Sequence, residues 1–224
     1  SIRYAEVKPE LIGGSKDYDE NFFKQLDIIE NNVLDGQSFE ETARTNNLKI
    51  IDIDVEENIN SSNSPQDNVR ALSVLKCQEG VRKIISESKS FFPVLAADTI
   101  VVLGDEIFGK PREESDAISM LLKLSGKTHL VMTAVTIGVM SEEEAKFHTM
   151  SVTSRVEFAK LTESDCKEYC DTGEPFDKAG GYGIQGYGSA FTKKINGSYS
   201  NIVGLPIHEV VQLLKELGIP YWNK

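Results

Sequence analysis

The fold is decided by residues 93–111, which read PVLAADTIVVLGDEIFGKP. Residues 93–103 are apolar and β-branched, broken only by Asp98-Thr99, and this predicts a strand. Gly104-Asp105 turns the chain back into residues 106–109, the pattern of a hairpin. Downstream, residues 113–124 form an amphipathic helix expected to turn Ala117, Ile118, Leu121, Leu122 and Leu124 inward, with Gly126 as its stop. Long strands are predicted over 128–139 and 149–161, separated by the acidic turn 141–146. Thr162-x-x-Asp165 opens another helix that ends at Gly173, and a last helix spans 207–217 before Gly218. Upstream, Ser64-Pro65 caps a helix over 65–86. Strands alternate with helices, so the fold class is α/β, with a mixed, elongated β-sheet flanked by helices.

The first 63 residues have a different texture, acidic, rich in asparagine and helical in pattern. Phe22, Phe23, Leu26, Ile29, Val33 and Leu34 recur at helical spacing, and Asp35-Gly36 ends that helix. Ser38, with Glu41 three residues on, has the form of a capping box for a second short helix. Residues 48–55 alternate apolar with polar, as a strand does.

The 224 residues suffice for one large α/β domain, or for a medium domain with an added segment. A net charge of −11 argues against non-specific nucleic-acid binding, which needs a basic face to displace counterions. It leaves room for a small phosphate ligand, because a few lysines or a metal can reverse the field locally. No apolar run has the length of a membrane span, and no basic-then-apolar leader is present, so the expected compartment is the cytoplasm. Cys77, Cys166 and Cys170 are too few for a disulfide framework. The histidines are scattered and C-x-x-C is absent, so no zinc site is expected.

Four segments carry chemistry. Asp98 stands alone among apolar neighbours, where a carboxylate is costly to bury without a partner. Either backbone or a lysine satisfies it, or it is a metal ligand or general base at the edge of a cleft. In Gly109-Lys110-Pro111, glycine allows close approach of a ligand, proline stiffens the exit, and lysine supplies a point charge suited to phosphate. The Walker A pattern is absent. Residues 177–188, DKAGGYGIQGYG, read either as a flexible hairpin or as a loop in which Gln185 reads a base edge beside aromatic faces. Residues 196–206, NGSYSNIVGLP, begin as an Asn-Gly hairpin turn and end as a proline helix start.

Taken together these segments resemble the Maf family of nucleoside triphosphate pyrophosphatases. The resemblance runs through AADTIVVL, GKP, LSGKTH, TGEPFDKAGGYGIQG and NGSYSNIVGLP, in the family's order. It implies a Maf/inosine-triphosphatase-like fold with a cleft between two lobes. It also implies metal-dependent hydrolysis of a nucleoside triphosphate to the monophosphate and pyrophosphate, and YGIQG is similar to the branch acting on dTTP and UTP. Carried over by residue, Asp98 corresponds to the catalytic aspartate, Lys110 to the lysine facing the triphosphate, and Lys76 to the family's helix lysine. Thr99 and Gln185 match positions tied to nucleotide preference, and Lys178 joins them as a substrate-binding residue. Glu57, with Glu56 as a competitor, would share Mg²⁺ or Mn²⁺ with Asp98. The expected partner is the nucleoside triphosphate alone, with no nucleic acid and no membrane, and a homodimer is allowed.

The resemblance places the pyrophosphatase domain at 51–224 and leaves 1–50 as an atypical helical segment. Family members begin with an S-x-S-P-R-R loop whose arginines hold phosphate, and this sequence contains no such motif. A charge-assisted bond to a desolvated phosphate contributes about 1.5–3 kcal/mol, so weakened activity is expected. The alternative is an impaired nucleotide-binding or regulatory protein.

Overall fold

The structure is a computed structural model that describes residues 2–5, 20–34, 39–46, 50–53, 60, 62–87, 93–140 and 144–219. The chain forms two compact units, Ser1–Glu56 and Glu57–Lys224.

In the first unit, β1 (Ile2–Ala5) pairs antiparallel with β2 (Ile50–Ile53), with Ile2 opposite Ile53 and Ala5 opposite Ile50. Strand β1 has no counterpart in the sequence reading: four residues are too short to show alternation, and only the distant partner makes them a strand. The helix read from phenylalanine and leucine spacing is α1 (Glu20–Leu34), followed by α2 (Phe39–Thr45). Phe22 is buried while its neighbour Phe23 faces out, 44% exposed, as one-sided helical burial requires. Ser38, the expected cap, lies outside the described residues.

The second unit is built on a five-stranded sheet in the order β4-β3-β5-β6-β7, from β3 (Val94–Leu103), β4 (Glu106–Phe108), β5 (Thr128–Met140), β6 (Ala145–Phe158) and β7 (Thr192–Asn196). The sheet is flanked by helices, as the α/β reading requires, and every described pairing in it is antiparallel. The hairpin of residues 93–111 is the pairing of β3 with β4, from Val101 opposite Phe108 to Leu103 opposite Glu106. Strand β6 begins at Ala145, earlier than expected, because its ladder with β5 continues to Met140 opposite Ala145.

Strand alternation gives the sheet two buried faces. Asp98, Ile100 and Val102 share one face; Ile100 and Val102 pack there with Ala134 of β5 and Val69 of α3 (Pro65–Glu87). Thr99 and Val101 point the other way, and Val101 joins Phe108, Val131, Val156 and Phe158 in the larger core. That face is covered by α4 (Glu114–Leu124) and α5 (Glu163–Cys170), through Leu121, Leu124, Cys166 and Tyr169. The capping box expected at Thr162 is present: its hydroxyl accepts from the Asp165 amide, and the Asp165 carboxylate accepts from the Thr162 amide. In α4, Ala117, Leu121 and Leu124 are buried as read, but Leu122 turns outward at 39% exposure, off the stripe they define.

The segment between α5 and β7 is a run of 3₁₀ turns at Glu174–Asp177, Ala179–Gly181 and Tyr187–Phe191. Asn196-Gly197 does not make the expected hairpin. It passes β7 into the short α6 (Tyr199–Val203), because the Ser198 side chain accepts from the Asn201 amide and starts a helix instead of a return strand. Pro206 then precedes α7 (Ile207–Glu216), the last helix of the reading. No described helix is long and apolar enough to cross a membrane.

Candidate active site

The cleft of the second unit follows from the shortness of β4. That strand pairs only with Val101–Leu103, so no described strand flanks residues 94–100 of β3 on that side. A cavity of about 570 Å³ opens along this edge and wraps around it. Asp98 and Thr99, which face opposite sides of the sheet, therefore both line one cleft. The G-K-P turn enters directly from β4, bringing Gly109, Lys110 and Arg112 to the wall. The glycine-rich segment adds Lys178, Tyr182 and Ile184 to the lining. The Gly180 amide donates to the Gly109 carbonyl at 2.9 Å, fastening one wall to the other.

Asp98 is 8% exposed, and Lys76, from α3, is 12% exposed. The Lys76 Nζ donates to Asp98 Oδ1 at 2.5 Å. A lysine satisfies Asp98, as one reading of the sequence expects, and the residue also lines the cleft. An ion pair so placed is held by mutual need, since removal of either partner strands the other charge, at about 3–5 kcal/mol for a fully buried pair.

Thr99 is fixed by a buried chain of hydroxyls. Its Oγ1 lies 2.9 Å from Thr133 Oγ1, and Thr133 donates to the Asn201 carbonyl at 2.8 Å. Asn201 in turn donates through Nδ2 to the Val131 carbonyl and to Ser154 Oγ. The N-G-S-Y-S-N segment thus supports the cleft floor from behind. Tyr182 is anchored likewise: its hydroxyl lies 2.8 Å from Nε2 of His129, which is 1% exposed. Burial pulls the His129 imidazole down to about 4, so the ring is neutral at pH 7.

Positive charge gathers in the cleft although the whole chain is acidic. Lys178 donates to both carboxylate oxygens of Asp177 at 2.7 Å. Lys110 and Arg112 are exposed and form no ion pair among the described residues. Cations without a partner at the mouth of a cleft suit an anion of high charge density.

The structure thus brings together Lys76, Asp98, Thr99, Lys110 and Lys178. Gln185 is exposed and does not line the cleft, whereas its neighbour Ile184 does. Glu57 and Glu56 lie outside the described residues. The sequence reading missed Arg112, whose signal was its place two residues after Lys110, and Asp177, whose signal was its adjacency to Lys178. It also missed His129, Thr133 and Asn201, which act through tertiary contacts that no local pattern announces.

A sheet-edge cleft with a buried lysine–aspartate pair, and with cations that form no ion pair among the described residues, suits a phosphate-bearing ligand of an α/β protein. A family model described as "Maf-like protein" matches residues 39–217. Similar relatives include the dTTP/UTP pyrophosphatase of Saccharophagus degradans, 41% identical over 176 residues, covering 79% of this chain and 81% of that protein. The dTTP/UTP pyrophosphatase of Aliivibrio fischeri is 44% identical over 167 residues, covering 75% and 85%. That of Escherichia coli O157:H7 is 43% identical over 160 residues, covering 71% and 79%. The chain belongs to the Maf-like protein family.

Proposed function

We propose that the protein hydrolyses nucleoside triphosphates, dTTP and UTP foremost, to the monophosphate and pyrophosphate. The relatives named dTTP/UTP pyrophosphatase support the reaction class. The observation that carries it to this chain is the buried Lys76–Asp98 pair in a cleft that also holds Lys110, Arg112 and Lys178.

In this reading water attacks the α-phosphorus, the bond to the bridging oxygen breaks, and pyrophosphate leaves. Asp98, or a water it orients, takes the proton from the attacking water. Lys76 holds the carboxylate in place and keeps it charged. Lys110 and Arg112 neutralise charge developing on the leaving pyrophosphate, in a site where water is partly excluded. Lys178 and Thr99 contact the substrate. Gln185, next to Ile184 of the cleft wall, contributes to base selection.

Among the described residues no cluster of three His, Cys, Asp or Glu side chains could hold a metal alone. The donor set fits Mg²⁺ or Mn²⁺ in the way such ions bind with nucleotides, through one or two carboxylates plus phosphate oxygens and water. Asp98 would supply a carboxylate, with Glu57 as its companion. When bound, such an ion adds charge neutralisation at the phosphates.

The test is pyrophosphate release across the common nucleoside triphosphates, with and without divalent metal. Wild type is expected to favour dTTP and UTP and to lose turnover in chelator. Asp98→Asn is expected to lose at least a thousandfold in rate while keeping a cooperative unfolding transition. Full activity in that variant would remove the central assignment.

A further inference from the structure

Glu174 does not line the cleft, yet it ties together the segment that forms one wall of it. Its Oε1 accepts from the Tyr169 hydroxyl at 2.7 Å and from the Gly188 amide at 3.0 Å, and its Oε2 accepts from the Tyr187 amide at 2.8 Å. The same Tyr169 oxygen accepts from the Gly183 amide at 3.0 Å. The carboxylate therefore grips the loop 183–188 at both ends, by the phenol on one side and by two amides on the other. The fit is close: a Cβ built on Gly186 would lie 2.0 Å from Oε2 and 2.6 Å from Cδ of Glu174. The bracketed loop begins with Ile184, which lines the cleft, and Gln185, which the family resemblance ties to nucleotide choice.

Resting on the pyrophosphatase reading, we infer that Glu174 is a positioning residue for nucleotide selection, fixing the loop that places Ile184 in the cleft wall and carries Gln185 beside it. Three donors converge on one carboxylate, and a carboxylate is the side chain that offers acceptors alone. Glutamine at the same place has a single oxygen. Its NH₂ must face either the Tyr187 amide or the Gly188 amide, so at least one of these two bonds is lost. Lys110, Arg112 and the Lys76–Asp98 pair are not among the groups that act on the Glu174 carboxylate, whereas Lys178 stands close enough for its charge to be felt there.

The test compares wild type with Glu174→Gln and Tyr169→Phe, reading kcat and KM separately for dTTP, UTP, GTP and CTP. Amide hydrogen exchange at Tyr187 and Gly188 is read alongside. Glu174→Gln is expected to shrink the preference for dTTP over GTP tenfold or more. The change should lie mainly in KM, with faster exchange at one or both amides. Tyr169→Phe, which leaves the amides captured, should give a smaller shift in the same direction. An active Glu174→Gln enzyme with the wild-type preference would overturn the role, even if its unfolding midpoint fell, because loss of stability alone does not reorder nucleotides. Wild-type protein that releases no pyrophosphate from any nucleotide would instead overturn the pyrophosphatase reading, and this role with it.

Discussion

His129 shows how a single buried side chain sets a pH dependence. Its ring lies edge-to-face against Phe158 at 4.9 Å and Tyr182 at 5.5 Å, and its Nδ1 has no hydrogen-bond partner among the described residues. An imidazole there titrates at about 4 because burial disfavours its charged form. The unfolded chain binds a proton below about 6.5, and the folded chain refuses it until about 4. Stability is therefore full above pH 6.5 and falls as the pH drops toward 4, by at most about 3 kcal/mol from this group. Denaturant midpoints at pH 7 and pH 4.5 should diverge more in wild type than in His129→Gln; parallel losses would refute the assignment. Nothing around His129 in the sequence announced this. Asp98, by contrast, was legible because a carboxylate in an apolar run breaks a pattern visible within one strand. The tyrosine and phenylalanine that enclose His129 lie far along the chain and meet it only after folding.

At the scale of elements, long periodic segments were readable and short joints were not. α3, α4, α5 and the hairpin of β3 with β4 sit where hydrophobic spacing and capping residues put them. The Asn-Gly joint after β7 misled, because the same dipeptide opens a hairpin or hands a strand to a helix, and Ser198 two residues on decided the outcome. The glycine-rich wall could not be resolved into 3₁₀ turns from composition, since its shape depends on what presses against it. Gly180 makes the point: its φ is +74°, and an added Cβ would meet three Val101 side-chain atoms at 3.0 Å. Gly180→Ala combines a left-handed backbone penalty with an overpacked contact, and is expected to cost about 2–4 kcal/mol. Its bond to Gly109 joins the two walls, so activity should fall with stability. A urea midpoint equal to wild type would show that the wall yields freely.

At the scale of the molecule, the groups of the candidate site that the structure describes, and the five-stranded sheet that carries them, belong to the second unit. We therefore propose that residues 51–224 fold without residues 1–50. A chain trimmed to 51–224 should unfold in one cooperative transition and keep its nucleotide preference; a molten, non-cooperative product would show that the N-terminal unit completes the fold. The cleft also has a consequence for the molecule in solution. Where β4 stops at the level of Val101, no described strand continues along that side of β3, and open strand edges invite another chain to add itself. An intruding strand would have to bury the carboxylate of Asp98 with the ammonium of Lys76 and displace the cations of the neighbouring turn. Charged groups so placed along a strand edge oppose edge-to-edge aggregation.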